Sequence, residues 1–435
     1  MMQLLWFSPV PPAKTDIANY TRRIAPHLRE LVEVVFVHPD GAKPDPVLDS
    51  VPISSLSPRQ INRADLCVYQ IGNNPDFHSQ ILETAQKYPG LVVLHDRAVH
   101  EFLLIHYGLT QQRTGIAQPK AYRTAMARWY GADGLLAAQQ LAEGRTGPAE
   151  LASRFPLFEV VLDRALGVVC HNPQLTAELR RRFPRLPMVD LPLPYDVPAD
   201  GPADGPADGP DRAQRAATDP IRLVMFGFMA ANRRACEFLH SWNQSDHRDR
   251  FELHLAGELS DRPRFDATAS QLGLSDRIVH HGFVPDDALD ALIASAALAI
   301  NLRNPSMGEA SGSQLRIWAN GCPAAVSAAG WYGALPDSCV HKIGLDSEQA
   351  DLVLMLDDLV RGRLDLDRKV QRGFQQLRAH DPARYVRNLA AWLDANRAAM
   401  QTTWAECALI EAVAGAYARS LPQHLHLDLP PRLLG

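Results

Sequence analysis

The sequence predicts an α/β protein built from two doubly wound, Rossmann-like domains in tandem. Three observations carry that expectation. The chain has 435 residues, more than one ordinary hydrophobic core organises. Short continuous apolar runs alternate with helical stretches, the pattern of parallel strands covered on both faces. The pattern stops and then restarts around residues 198–211, where Pro-Ala-Asp-Gly recurs. Repeated Pro and Gly with no large apolar residue cannot form a core, so this segment is a solvated linker.

The apolar run 4–7 opens the first domain, and runs 34–37, 66–69, 91–94 and 166–170 follow it, with helices such as 20–31 and 77–87 between. After the linker the runs are 221–226, 251–256, 277–280, 297–302 and 324–327, again with helices between, among them 313–320. Two last helices, 383–400 and 404–420, are expected to cross back to the first domain, ahead of a loosely attached Pro- and Leu-rich tail. The expected organisation is therefore a domain over 1–191, a linker over 192–219, a domain over 220–382, helices over 383–420 and a tail over 421–435. Ligands of doubly wound sheets bind outside the carboxyl ends of the strands, and two such domains are expected to bring those ends to a central cleft.

Composition excludes several classes. With 46% hydrophobic and 21% charged residues the chain is an ordinary globular one, and a net charge of −5 argues against a nucleic-acid partner. Cys67, Cys170, Cys236, Cys322, Cys339 and Cys407 lie far apart with no C-x-x-C pair, which reads as reduced thiols rather than disulfides or a zinc site. No basic region precedes the first apolar run and no uncharged run reaches the length of a membrane span, so a cytoplasmic protein is expected. No metal is implied: Asp365-Leu366-Asp367 lies in a charged late segment, and His424 and His426 in the Pro-rich tail.

The strand-end loops carry the chemistry. The run 298–302 leads through Arg303-Asn304-Pro305-Ser306-Met307-Gly308-Glu309-Ala310-Ser311-Gly312 into a helix. Small residues at such a turn let backbone N–H groups approach a ligand, and the helix N-terminus favours a phosphate. Glu309 beside an anion site makes sense as the acceptor of hydroxyl hydrogen bonds from a sugar, so the turn describes a sugar diphosphate site. A capped helix with a Glu in its first turn has the same residues. The loop after the run 221–226 delivers Arg233 and Arg234 to a helix start, where cations are disfavoured unless an anion binds or they simply point to solvent. In the first domain the strand-end residues are Thr15 and Asp16, Asn73 and Asn74, and His95, which on its own is equally an ordinary hydrogen-bonded loop residue.

Taken together these segments resemble the retaining GT-B glycosyltransferases of family 4, which use nucleotide diphosphate sugars. Within that family the likeness is to a bacterial branch with P-P-x-x-S-G-I-A-D-Y, Y-Q-I-G-N-N, V-V-L-H-D, G-F-x-x-x-N-K-R, M-G-E-x-S-G and G-x-P-V-x-V-S-x-x-G-W. The corresponding segments here are 11–20, 69–74, 92–96, 227–234, 307–312 and 321–331, and the likeness extends over residues 1–400. It implies that Glu309 holds donor-sugar hydroxyls, that Ser311 and Gly312 meet the diphosphate, and that Arg233 takes the place of a phosphate-binding Lys. It also implies donor contacts for Gly227, Arg234 and Arg316, a nucleobase turn at 281–284 containing Phe283, and His95 near the donor hexose and the reaction centre, with Glu309, Arg233 and His95 as the catalytic residues. Thr15, Asp16, Asn73 and Asn74 fall on the acceptor side. Trp331 reads equally as a substrate contact and as packing.

Three positions depart from the family: Asp16 replaces a Gly, Phe228 an Arg, and Arg316 the Glu that usually meets the ribose. The mechanism implied needs no cofactor beyond the nucleotide sugar, which is substrate, and no side-chain base, since the departing phosphate can take the acceptor's proton. The acceptor expected is a glycan or lipid-linked sugar of bacterial surface polysaccharide synthesis. Arg113, Lys120, Arg123 and Arg128 with Tyr107, Tyr122, Trp129 and Tyr130, free of acidic residues, read either as a peripheral contact to the inner membrane face or as helices covering the sheet. The rival to an active transferase is a catalytically weakened sugar-nucleotide-binding protein.

Overall fold

The structure, a computed structural model, describes residues 2–43, 46–109, 119–199 and 220–420. Most of the Pro-Ala-Asp-Gly repeat, Arg113 and the tail therefore lie outside the described residues. The chain divides into two compact units, Met1–Pro192 with Pro382–Gly435, and Leu193–Asp381.

The first unit holds β1 (Gln3–Phe7), β2 (Glu33–His38), β3 (Val51–Pro52), β4 (Leu66–Ile71), β5 (Gly90–Leu94), β6 (Ala165–Cys170) and β7 (Met188–Asp190). They form one sheet in the order β3-β2-β1-β4-β5-β6-β7, with every pair parallel. Strands β4, β5 and β6 are buried along their whole length, as their unbroken apolar runs require of a sheet covered on both faces. Helix Asp16–Leu31 starts where the prolines of the preceding loop end. Thr15 caps it by accepting from the Ile17 amide at 3.4 Å, and it buries Ala18, Tyr20, Thr21, Ile24, Ala25 and Leu28 at helical spacing.

The second unit holds β8 (Ile221–Met229), β9 (Phe251–Leu259), β10 (Ile278–Gly282), β11 (Leu298–Asn301), β12 (Ala324–Ser327) and β13 (His341–Ile343), in the order β10-β9-β8-β11-β12-β13. Again every pair is parallel, with Leu223 beside both Leu253 and Leu298 at the centre of the core. Both units are thus Rossmann-like.

Three strands, β3, β7 and β13, were not among the expected runs. Each spans two or three residues and carries polar ones or a proline, so pairing with a longer neighbour supports them rather than their own pattern. The two expected terminal helices are one 39-residue helix, Pro382–Ser420. The Thr402 and Thr403 hydroxyls donate back to the carbonyls of Ala398 and Ala399, both at 3.0 Å, and hold the turn that looked like a break. This helix is packed within the first unit: the Tyr20 hydroxyl donates to that of Tyr385, and Trp392 and Met400 lie over Gly167 of β6.

Candidate functional site

In each sheet the strand order reverses once, between β1 and β4 and between β8 and β11. Beyond the carboxyl ends at such a point the flanking loops diverge and leave a crevice, the usual ligand position of these sheets.

At the β8/β11 reversal, the short helix Ala231–Arg233 turns the Arg233 side chain inward. The residue is 2% exposed. Its Nη1 donates to Asn301 Oδ1 at 3.0 Å and its Nη2 to the Phe226 carbonyl at 2.9 Å, while its Nε–H is buried without a partner. Among the described residues no carboxylate forms an ion pair with it. Asn301, at the end of β11, passes the link on through Nδ2 to Gln314 Oε1 at 3.0 Å. Gln314 is fully buried in the first turn of helix Gly312–Ala319, and its Nε2 also lacks a partner. Because Arg only donates, Asn301 must present its oxygen to Arg233 and its nitrogen to Gln314, which fixes both amides. An always-charged guanidinium is therefore buried among neutral partners, an arrangement that is costly unless an anion arrives.

Ser311 caps the same helix, accepting from the Gln314 amide at 3.0 Å, and Gly312 begins it. The preceding loop is held by Glu309, whose Oε1 accepts from Arg303 Nε at 3.2 Å, with Ser306 Oγ at 3.5 Å from its Oε2. Arg303 is in turn fixed by its amide on Ser327 Oγ at 2.9 Å and by Nη1 on the Leu302 carbonyl at 3.0 Å. Under the loop, burial pushes the Tyr332 hydroxyl up to about 12; that hydroxyl is close to Ser311 but closes no hydrogen bond of ordinary geometry. Gly330 has a φ of 52°, and a Cβ there would come within 2.5 Å of Ser306 Oγ, so only glycine lets the next turn pack beneath this loop.

Other expected donor residues have different surroundings. Arg234 does not join Arg233: its Nε and Nη2 donate to Glu348 at 3.0 and 2.8 Å, and its Nη1 is 3.2 Å from Glu237. Arg316 is held by Asp290 at 2.7 Å and Asp286 at 2.8 Å, so it ties helix Gly312–Ala319 to helix Asp286–Ser295. Both guanidiniums are thus spread over carboxylates, in contrast to Arg233. Phe283, at the end of β10, is 74% exposed, and Phe228, near the end of β8, is 62% exposed. Gly227 has a φ of 92° and open space where a Cβ would be. Trp331 is buried against Trp318 and Tyr332, which makes it a packing aromatic.

In the first unit His95, just past β5, is packed edge-on to Tyr20 and beside His171, each 5.2 Å between ring centres. Its Nε2 is 2.7 Å from the Gln70 side-chain oxygen. Burial, and then the charges His171 and His78 would carry, hold the His95 imidazole well below its usual range, so it is neutral. Asn73 and Asn74 hydrogen-bond the backbone. Asn73 accepts from the Phe102 amide at 3.2 Å and its own amide is held by Asp96 at 2.8 Å, while Asn74 caps helix Pro75–Lys87. Asp16 is half-exposed and pairs with Arg23 at 3.3 Å. The basic, aromatic stretch divides: Tyr122 is buried and the Tyr130 hydroxyl donates to Glu159, while Lys120, Arg123 and Arg128 are exposed, Arg128 pairing with Asp163 at 2.6 Å. The aromatic side of these helices covers the sheet and the basic side faces outward. Among the described residues no helix is long and apolar enough to cross a membrane, and no group of three His, Cys, Asp or Glu is arranged to hold a metal.

Asn301, Gln314, Arg303 and Gln70 were not singled out from the sequence. A lone Asn in the otherwise apolar run 297–302 was the available signal.

The architecture is that of GT-B proteins. It is similar to HepE of Anabaena, solved with UDP-glucose, with a TM-score of 0.58 and 12% identity over 91% of this chain and 100% of that one. It is also similar to sucrose-phosphate synthase from Thermosynechococcus elongatus (TM-score 0.57, 15% identity, 91% and 100% covered). A third is WaaG, a glycosyltransferase involved in lipopolysaccharide biosynthesis (0.54, 15%, 89% and 98%). No protein-family model and no curated protein matches the chain.

Proposed function

We propose that the protein is a metal-independent glycosyltransferase of the GT-B class, related to family 4. It would move a hexosyl residue from a nucleotide diphosphate sugar to a glycan or lipid-linked acceptor with retention of configuration. The observation that carries this reading is the buried, carboxylate-free Arg233 at the strand-order reversal, next to the capped N-terminus of helix Gly312–Ala319. An anion is the ligand such a pair lacks, and a diphosphate has the charge and extent to meet both. HepE was solved with UDP-glucose and WaaG acts in lipopolysaccharide biosynthesis, which supports a sugar nucleotide and a surface-glycan product.

In this reading Glu309 accepts hydrogen bonds from donor-sugar hydroxyls, and its pairing with Arg303 orients the carboxylate beforehand. Exposed Phe283 offers a flat apolar surface to the base. The bond from the anomeric carbon to the diphosphate oxygen breaks as the acceptor oxygen bonds to that carbon on the same face. The acceptor's proton passes to the departing phosphate, whose growing negative charge Arg233 and the helix N-terminus stabilise. His95, neutral, suits a hydrogen bond to an uncharged hydroxyl rather than an ion pair.

Phe228 in place of the family's Arg favours a second reading, a weakened enzyme that binds sugar nucleotides and turns them over poorly. Incubation with UDP- and GDP-sugars separates the two. A transferase should release free sugar from at least one donor without acceptor and transfer it with retained anomeric configuration by NMR. A binder should raise the unfolding temperature with no hydrolysis. Lack of any stabilisation by a panel of sugar nucleotides would sink both.

A further inference from the structure

The relay behind Arg233 has a property that its stability alone does not explain. Asn301 is 1% exposed and Gln314 is fully buried, and they leave the Arg233 Nε–H and Gln314 Nε2 without partners. Aspartate has almost the shape of asparagine. At position 301 it would keep the 3.0 Å contact to Arg233 Nη1 and convert it to an ion pair. The Gln314 amide would then turn over and give its orphaned nitrogen to the second carboxylate oxygen, across the 3.0 Å now spanned by Asn301 Nδ2. The guanidinium is charged in either case, so the carboxylate would be desolvated next to a cation already present. A chain selected only for folding would gain from the acid at this position.

We propose that Asn301 is a charge-preserving positioning residue: its neutral amide holds the Arg233 fork in place while leaving the guanidinium charge uncompensated for a ligand of the diphosphate class. Gln314 completes the device by holding Asn301 and tying it to helix Gly312–Ala319. The inference rests on the donor-site reading of Arg233 and goes beyond it by assigning the residue that keeps the site open to an anion.

The test uses the full-length protein, with binding of UDP and of inorganic pyrophosphate measured by calorimetry and unfolding followed separately. Asn301→Asp should unfold at the same temperature as the parent or higher, yet bind both ligands about tenfold to a hundredfold more weakly, since a fixed negative charge now stands at the cation. A merely structural asparagine would not separate stability from affinity in this way. If the parent binds both ligands and Asn301→Asp binds them equally well, the inference falls while the donor site stands. A markedly less stable Asn301→Asp also overturns it, because the neutral amide would then be there for folding. Gln314→Glu adds the charge one link further from Arg233 and should lose less; a larger loss than in Asn301→Asp would move the role to Gln314. A parent protein that binds neither ligand removes the donor-site reading and this inference together.

Discussion

Arg233 and Arg234 are adjacent in sequence and opposite in circumstance, which makes substituting each by alanine a sharp comparison. Arg233 is buried on neutral acceptors with an N–H to spare; Arg234 is spread over Glu348 and Glu237. Arg233→Ala should remove a charge-assisted contact to the diphosphate, about 2–4 kcal/mol of transition-state stabilisation, or roughly a hundredfold in turnover. It also strips donors from Asn301 Oδ1 and the Phe226 carbonyl, so about 1–3 kcal/mol of stability goes with it. Arg234→Ala leaves Glu348 unpaired with its side chain 10% exposed, a stability cost of the same order, about 1–3 kcal/mol. Glu348 begins helix Glu348–Val360, whose N-terminal partial charge softens the loss toward the lower end of that range. The two variants should therefore be similarly destabilised, by a few degrees, and differ in turnover by more than about tenfold. Turnover of a hydrolysed donor is measured at a temperature where unfolding curves show both fully folded. If Arg234→Ala is the slower enzyme there, the phosphate site has been assigned to the wrong arginine.

Other expectations are narrower. Glu309→Gln should lower turnover strongly while UDP alone binds as before; an equal loss of UDP affinity would mean that the pairing with Arg303 at 3.2 Å merely holds the loop. UDP- or GDP-sugars should stabilise the fold in the presence of a chelator, by about 2.7 kcal/mol at a hundred times the dissociation constant and seen as a higher unfolding temperature, and strict dependence of transfer on manganese would contradict the metal-free reading. His78 is buried and its imidazole is lowered from 6.5 to about 4, because burial penalises the charged form more than its bond to the Gln70 carbonyl favours it. The unfolded chain binds the proton first, so this contribution is complete above the unfolded value and is lost as pH falls from about 6.5 toward 4, about 3 kcal/mol in all. His78→Asn, which keeps a donor toward Gln70, should flatten the acid limb of the stability curve, and an unchanged limb would assign it elsewhere.

The parts of the fold legible in the sequence were those with a local physical signature. Unbroken apolar runs marked β1, β2, β4, β5, β6, β8, β9, β11 and β12 to within a few residues, and the prolines before Thr15 marked the start of its helix. β3, β7 and β13 were not legible, because Val51-Pro52, Met188-Val189-Asp190 and His341-Lys342-Ile343 acquire strand character only from their neighbours. In the site, the glycine- and serine-rich turn before helix Gly312–Ala319 and the adjacent arginines pointed to an anion. What could not be read was which way each guanidinium turns. Arg234 has a left-handed backbone, φ 59°, that swings it toward Glu348, 114 positions away, and Arg316 finds its acids on another helix. Asn73 and Asn74 show the same limit in reverse: amides on a strand-end turn suggest a ligand, but Asn74 caps the helix that the turn launches and Asn73 accepts from the Phe102 amide of the helix after β5.

The two strand-order reversals share a chemical character that neither motif nor composition reveals. At the carboxyl ends of β8 and β11 the buried polar chain is Arg233, Asn301 and Gln314; at those of β4 and β5 it is Gln70 and His95. In each chain a buried glutamine has a side-chain nitrogen without a partner, and every member is neutral except Arg233. For Gln70 the orphan persists whichever way its amide is turned, since His95 engages only one of its two polar atoms. An unsatisfied buried donor costs about 1–3 kcal/mol, and Arg222 Nε and His247 Nε2 are buried without partners away from the crevices as well, so whether the orphan at Gln70 serves a ligand is a question for experiment. Gln70→Glu makes the point measurable. A carboxylate 2.7 Å from His95 should draw a proton onto an imidazole that burial now keeps neutral, shifting the acid limb of any turnover profile upward in pH. If the profile is unmoved while the protein stays folded, His95 does not take part in the step that limits turnover, and the neutral chain in the first unit serves only its core.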